Sequence, residues 1–559
     1  MGGIRSLPWL ERRTAGFLIA CVVVAVAVIG SVRGGLSVLD NGYLRLGMPR
    51  LVAATLYDHL HDAMTFVALP AALLAALLAL PRRGGRSLSL SPALVGRARS
   101  LGVVAMGTTV GVLGLGGAIR LEREVDADAK RPNVIWLVID ALRADHLGCY
   151  GYARDTSPFI DGWARESILF RRAYSQESYT IASVASFFTS TYPWTNRVLY
   201  DSPQIDVLDS GFVTLAEVLR EHNYRTAAFV FNPHLKARFN FAQGFDLYDD
   251  RKQILRGLEP EPERFETARR IFEKTEKLLA EHDGAPLFLY AHFRDVHSPY
   301  VPVPPYDEMF TPRDESEREK RIALYDGEIR YTDAYLNRLF ALLEDHGIDA
   351  SNSILILSSD HGEEFRDPHP GDPGGWFHAR TLYEELIHVP LVMSLPQRAF
   401  AGSSVDDAVG LVDVVPTILD VLDIDGKSFG QFQGQSLLPL LHGETTPDRP
   451  IWSGGNHGRV ALLSGGWKYY RYHRPTKLGL SAALNRPATS ETGPFDEEIY
   501  RLSSDPRETV DLRSLRGDVV ATMRGQATAQ PTLEQREPLR SANIDPETAR
   551  ELRALGYLE

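Results

Sequence analysis

The segment Ser178-Tyr179-Thr180-Ile181-Ala182-Ser183-Val184-Ala185-Ser186-Phe187-Phe188 sets three hydroxyl residues, Ser178, Thr180 and Ser183, at the mouth of a short apolar helix. Two chemistries fit. A Ser or Thr oxygen at a helix start satisfies orphan backbone N–H groups. The same hydroxyl beside a metal ion becomes a nucleophile for ester cleavage. Asp140 closes the apolar run 133–139 (NVIWLVI), and Asp360-His361 follow the run 353–357 (SILIL). A lone Asp at a strand end is often a helix cap. Carboxylates at two strand ends, one beside an imidazole, form an O/N ligand set suited to Zn²⁺ or Mn²⁺.

Apolar periodicity supplies the elements that must position these residues. The runs 133–140, 226–231, 287–293, 353–357 and 390–395 read as strands buried on both faces. Helical patterns over 215–222, 265–281, 325–346 and 412–421 lie between them. Such alternation predicts a mostly parallel sheet between helices, with ligands outside the carboxyl ends of its strands. Residues 460–472 (VALLSGGWKYYRY) change character: a Gly-Gly turn between aromatic-rich runs predicts a small antiparallel sheet.

Charge separates the 559-residue chain into two parts. The first 120 residues hold 12 Arg, no Lys and only Glu11, Asp40, Asp58 and Asp62, a net of +8, which leaves −20 for the remainder. Three apolar segments, 15–32, 64–80 and 101–119, approach the length of a bilayer crossing. No cleavage pattern marks the first as a signal peptide. Arg5, Arg12 and Arg13 before the first segment, and Arg82, Arg83, Arg86, Arg97 and Arg99 between the second and third, belong on the cytoplasmic side. The expected protein is multi-pass in the cell membrane, with its acidic body extracytoplasmic. That acidity argues against nucleic acid as a partner. Cys21 and Cys149 build neither a disulfide framework nor a cysteine metal site.

Residues 131–513 resemble the sulfatase family of the alkaline phosphatase superfamily. The matching stretches are NVIWLVIDALRADHLGCYGY, SPFIDGWARESILFRRAYS, the hydroxyl segment with Thr191-Tyr192-Pro193, GFDLYDD, HFRDVHSPY, SSDHGEEF, HARTLYEELIHVPL and IYRLSSDPRETVDL. The resemblance implies an alkaline-phosphatase-like α/β fold, and with the apolar segments the expected division is a transmembrane region of about three helices over 1–120, a linker over 121–131, a catalytic domain over 132–450, and a C-terminal subdomain and tail over 451–559. It implies a metal-activated hydroxyl and in-line attack on a phosphorus or sulfur ester. Laid on the family's Cys/Ser-x-Pro-x-Arg motif, Thr180 takes the nucleophile position, Ala182 the Pro and Val184 the Arg. The site looks like that of phosphoethanolamine transferases and lipoteichoic acid synthases.

By that resemblance one divalent ion, Zn or Mn rather than Ca because Ala141 replaces a second acid, is held by Asp140, Thr180, Asp360 and His361. Thr180, His297 and His378 are the expected catalytic residues. Asn232 and His234, at the family's Lys-x-His position, and Lys468 are the expected substrate contacts. His292 is expected to be structural. A Thr cannot yield the formylglycine that sulfatases make from Cys or Ser. The expected activity is therefore hydrolysis or transfer of a phosphate or sulfate ester, on a small molecule, lipid headgroup or envelope glycan. A sulfuric ester hydrolase proper and a catalytically impaired binding protein are the alternatives.

Overall fold

The computed structural model describes residues 131–198, 200–201, 204–250, 266–370, 372–444, 449–454, 459–473, 495–528 and 541–543. The three apolar segments lie outside these residues, and no helix among the described ones is long and apolar enough to cross a membrane. In chain order the main elements are β1 (Asn133–Ile139), α1 (Pro158–Arg165), β2 (Ile168–Tyr174), α2 (Thr180–Thr189), α3 (Leu215–Glu221), β3 (Arg225–Val230), β4 (Leu247–Asp249), α4 (Thr267–Ala280), β5 (Leu287–Phe293), α5 (Glu317–Asp345), β6 (Ser353–Ser358), β7 (His388–Ser394), β8 (Ser404–Gly410) and α6 (Val414–Val421).

The eight strands form one sheet in the order β8-β2-β7-β6-β1-β5-β3-β4. Every strand runs the same way except β7, which is antiparallel to both neighbours. β2 and β8 escape a reading from apolar runs because Arg171, Arg172, Asp406 and Asp407 interrupt them. Helix α5 begins earlier than its apolar pattern, since its first turns are polar and are started by Ser316, whose hydroxyl accepts from Glu319 N at 3.2 Å.

Side-chain alternation along the central strands decides what reaches the site. Val134, Trp136 and Val138 of β1 pack into one core, with Phe288 and Tyr290 of β5 and Ile354 and Ile356 of β6. Ile135, Leu137 and Ile139 pack into the other, with Leu289, Ala291 and Leu355. Helix α2 lies over the first face, and all ten of its residues are buried. Continuing the period of two, Asp140, His292 and Asp360 share the face that α2 covers.

The C-terminal sheet adds β9 (Ile451–Gly454), β10 (Val460–Ser464), β11 (Trp467–His473) and β12 (Phe495–Arg501), paired in that order and antiparallel throughout. Gly465 and Gly466, at φ 57° and 74°, close the β10–β11 turn as the sequence predicts. Polar contacts buried at the seam tie this sheet to the large one. Glu498 accepts from the hydroxyls of Tyr383, Tyr472 and Tyr500 at 2.7–2.8 Å. Lys468, expected at the substrate, is here instead. Its ammonium is fully buried, 3.0 Å from Glu384 and 2.9 Å from Glu508, so its charge is already spent. Removing one partner strands the others in a dry environment. Lys468→Met is therefore expected to cost about 3–5 kcal/mol, measured by denaturant unfolding, while the folded fraction keeps its metal affinity.

Candidate active site

Asp140 follows the last residue of β1, and Asp360 lies two residues beyond β6, the next strand in the sheet. The chain leaves β1 through Ala141 in the left-handed region at φ 60°. This turn aims Ala141 N at Asp360 Oδ1, 3.3 Å away, and links the two strand ends. Past His361 the backbone presses so closely on Glu385 that a Cβ on Gly362 would lie 1.9 Å from the Glu385 carbonyl. Only glycine fits there.

The hydroxyl segment resolves into separate roles. Tyr179, extended at φ −157°, occupies the N-cap and makes no side-chain cap bond. Thr180 opens α2, and its Oγ1 turns instead toward His361 Nε2 and Asn232 Nδ2, each at 3.2 Å. Ser183 donates to the Asp360 carbonyl at 2.6 Å, and Ser178 lies against Glu177. Among the three hydroxyls, only that of Thr180 meets the side chains of His361 and Asn232. Asn232 also donates to Asp140 Oδ2 at 2.7 Å, and its own Oδ1 accepts from His234 N at 2.9 Å. It binds carboxylate and hydroxyl into one unit.

The electron-rich atoms of this cluster lack hydrogens to share. Asp140 Oδ1 and Asp360 Oδ2 are buried without a hydrogen-bond partner. His361 Nδ1 donates to the Gly362 carbonyl at 2.8 Å, which leaves a lone pair on Nε2. That nitrogen lies 3.5 Å from Asp140 Oδ1 and 3.7 Å from Asp360 Oδ2. Orphaned buried acceptors are costly unless a cation satisfies them, so the residues fit a divalent metal. Asp140, Asp360, His361 and the Thr180 hydroxyl would hold it.

His292 is part of the same group. Its Nε2 lies 3.3 Å from Asp140 Oδ2 and 3.9 Å from Asp360 Oδ2, and Asp140, His292 and Asp360 offer ligand atoms within 4.8 Å of one another. Tyr290 OH meets its other ring nitrogen at 2.9 Å. The expectation of a structural His292 therefore needs correction. The strand apolar run concealed it, but its alternation phase, matching that of Asp140, could have exposed it.

Electrostatics divide the labour. Burial would raise the Asp140 carboxyl, but His297, His292 and His361 outweigh it and hold the group well below the usual carboxylate range. Burial, then the Asp140 charge, push Asp360 up to about 7. Burial and the proximity of His378 bring His361 down to about 4, so it stays neutral and available as a ligand. His378 stands 4.4 Å from the His361 ring and 4.8 Å from the His297 ring, with its Nδ1 donating to Glu363 Oε1 at 2.8 Å. Burial opposes its charge, yet Glu363 prevails and raises it. Burial and Arg294 hold His297 well below its ordinary value. Burial brings His234 down to about 3. Val184 is sealed in the apolar core, so no charge comes from that position. Arg294 and Glu363, which sequence reading did not single out, also belong to this neighbourhood.

A sulfatase family model matches residues 132–424, just over half of the chain. The chain belongs to the sulfatase family. The multifunctional alkaline phosphatase superfamily protein PehA of Trinickia caryophylli is 24% identical to it over 408 residues, covering 56% of this chain and 77% of that protein. Iduronate 2-sulfatase of Homo sapiens is 24% identical over 404 residues, covering 58% and 71% respectively. The phosphonate monoester hydrolase of Agrobacterium radiobacter shares the fold with a TM-score of 0.55 at 20% identity, covering 71% of this chain and 94% of that one. The sheet, its α2 cover and the C-terminal sheet are thus those of an ester-cleaving enzyme of this family.

A sulfatase-family site with a carboxyl held near neutrality binds metal in competition with a proton. As pH falls through about 7, Asp360 takes up its proton, and the cation must displace it. Mn²⁺ affinity of the full chain, followed by calorimetric titration, is expected to drop about tenfold from pH 8 to pH 6. The double change Asp360→Ala, His361→Ala should abolish binding. Affinity that stays flat with pH, or metal retained by the double variant, would place the ion elsewhere.

Proposed function

We propose that this chain is a membrane-anchored, metal-dependent phosphoryl hydrolase or transferase in which Thr180 is the nucleophile. The observation that carries the reading is the Thr180 hydroxyl. It is free of capping duty, it lies at the N-terminus of α2, and it meets His361 and Asn232 beside two orphaned carboxylate oxygens. A metal bound there supplies Lewis acidity, which lowers the pKa of a hydroxyl and offsets developing negative charge. The positive end of the helix favours an anion at the same point.

The chain's own residues complete the reaction. Asn232 fixes Thr180 and Asp140 relative to each other, which holds the hydroxyl for in-line attack on the phosphorus. The Thr180 oxygen, its proton released to solvent, bonds to phosphorus as the ester bond opposite it breaks. Of the two nearby imidazoles, His378 carries the proton more readily because of Glu363, so it serves as acid for the departing oxygen, while neutral His297 lines the site. Water, or an acceptor hydroxyl, then releases the phosphate from Thr180. Relatives named as sulfatases support a second reading, sulfate ester cleavage. The Thr, which cannot become formylglycine, favours phosphate.

Membrane attachment rests on the apolar segments and arginines of the first 120 residues. It makes a lipid headgroup or envelope glycan a reachable substrate. A reporter enzyme that works only outside the cytoplasm, fused after Glu559, is expected to be active. Signal from a cytoplasm-only reporter at the same junction would overturn the topology.

The nucleophile is tested by substitution. Thr180→Ala should lower turnover of aryl phosphate esters by several orders of magnitude and leave the fold intact, because no cap bond is lost. Thr180→Ser should retain measurable activity. Mass spectrometry after a denaturing quench should find phosphate on Thr180. A folded Thr180→Ala protein with near-normal turnover would reject the assignment.

A further inference from the structure

Arg294 stands out among the buried arginines. It follows directly on β5 and is only 2% exposed. Arg143 pairs with Asp145 and Asp367, Arg380 with Glu364 and Asp372, and Arg459 lies near Glu177. Arg294 has no carboxylate within ion-pairing distance among the described residues. Its terminal NH2 donates to the Ser298 carbonyl at 3.2 Å and lies 3.1 Å from His297 Nδ1, while its Nε is buried without a hydrogen-bond partner. The adjacent carboxylate, Asp295, is turned to the start of α4, where it accepts from Thr267 N at 2.7 Å and Ala268 N at 2.9 Å.

A guanidinium cannot shed its charge by giving up a proton. An unpaired charge in a dry interior is costly, so the folded chain carries this cost until an anion arrives. The charge lies beside the active site: the guanidinium stands 3.1 Å from His297 Nδ1, and the His297 ring is 4.8 Å from that of His378. The motif's own cations are absent, since Val184 and Asn232 stand in their places. We propose that Arg294 is the cation that receives the oxygens of a tetrahedral oxyanion ester in this site, in place of those missing basic residues. The inference rests on the phosphoryl-transfer reading of the same site. Its chemistry is that of a planar fork, which can place two N–H groups on two oxygens of one phosphate or sulfate.

The test uses the full chain loaded with Mn²⁺ and inorganic phosphate or sulfate as the probe, with affinity measured by calorimetry. Arg294→Met removes the charge and keeps most of the apolar stem, whereas Arg294→Lys keeps the charge but loses the fork. Phosphate affinity should fall about 10- to 100-fold in Arg294→Met, the size of a charge-assisted hydrogen bond, and less in Arg294→Lys. Without the anion, Arg294→Met should unfold at the same temperature as the parent or higher, because an unpaired buried charge has gone. Phosphate should raise the parent's midpoint more than the variant's. An Arg294→Met protein that binds phosphate as tightly as the parent overturns the proposal. So does one that fails to fold or loses stability, since Arg294 would then be a structural brace. A parent chain that binds neither anion overturns it as well. Measuring phosphate binding in Thr180→Ala separates the two readings. Turnover that survives in that variant rejects the nucleophile, whereas Arg294 stands or falls on anion affinity alone.

Discussion

Two carboxylates buried side by side at neighbouring strand ends are the constraint around which this molecule is organised. Like charges in a medium of low polarity repel strongly, and the pair meets this by dividing its protonation: Asp140 stays ionised while Asp360 is pushed up to about 7. Such an arrangement is tolerable only with positive charge or hydrogen-bond donors on every side. The left-handed turn at Ala141, the donor from Asn232 and the imidazole of His292 answer that need. What remains, one oxygen on each carboxylate without a partner, marks the place of a cation.

Around this centre the charges are shared differently from the family motif. No lysine or arginine stands at positions 184 and 232. Histidines fill the space, and they are kept distinct by their surroundings. Glu363 raises His378, whereas burial and Arg294 hold His297 down. Chemically similar side chains a few ångströms apart can therefore carry or lack a proton at the same pH.

The scaffold keeps this arrangement in place through packing. Helix α2 is buried along its whole length, so the Thr180 hydroxyl is held by a rigid element rather than a loop. The C-terminal sheet contributes from a distance, since its buried Lys468 and Glu498 hold the seam that carries Tyr383, Glu384 and the chain segment after His378. Two ion pairs of one lysine and three tyrosine hydroxyls do there what an apolar seam does elsewhere. Such contacts specify one docking geometry, because any other leaves charges unpaired.

Much of this was legible in the chain. Runs of apolar residues closed by Asp140 and by Asp360-His361 announce buried strands with ligands at their ends, because a sheet covered on both faces leaves polar side chains only at its rim. The Gly465-Gly466 turn announces its hairpin, because its backbone angles suit glycine. Thr180 could be singled out by motif position, but not told from a cap, since both roles need a hydroxyl at a helix start. Which way that hydroxyl turns depends on His361 and Asn232, 181 and 52 residues away along the chain. The place of His292 in the cluster depends on the register of β5 against β1, Val138 opposite His292. Lys468 could be read as a free cation only until Glu384 and Glu508 folded onto it. Local sequence determines element, phase and residue chemistry through short-range sterics and periodicity. Partnership between charges is a matter of distances across the fold, and only the tertiary structure decided it.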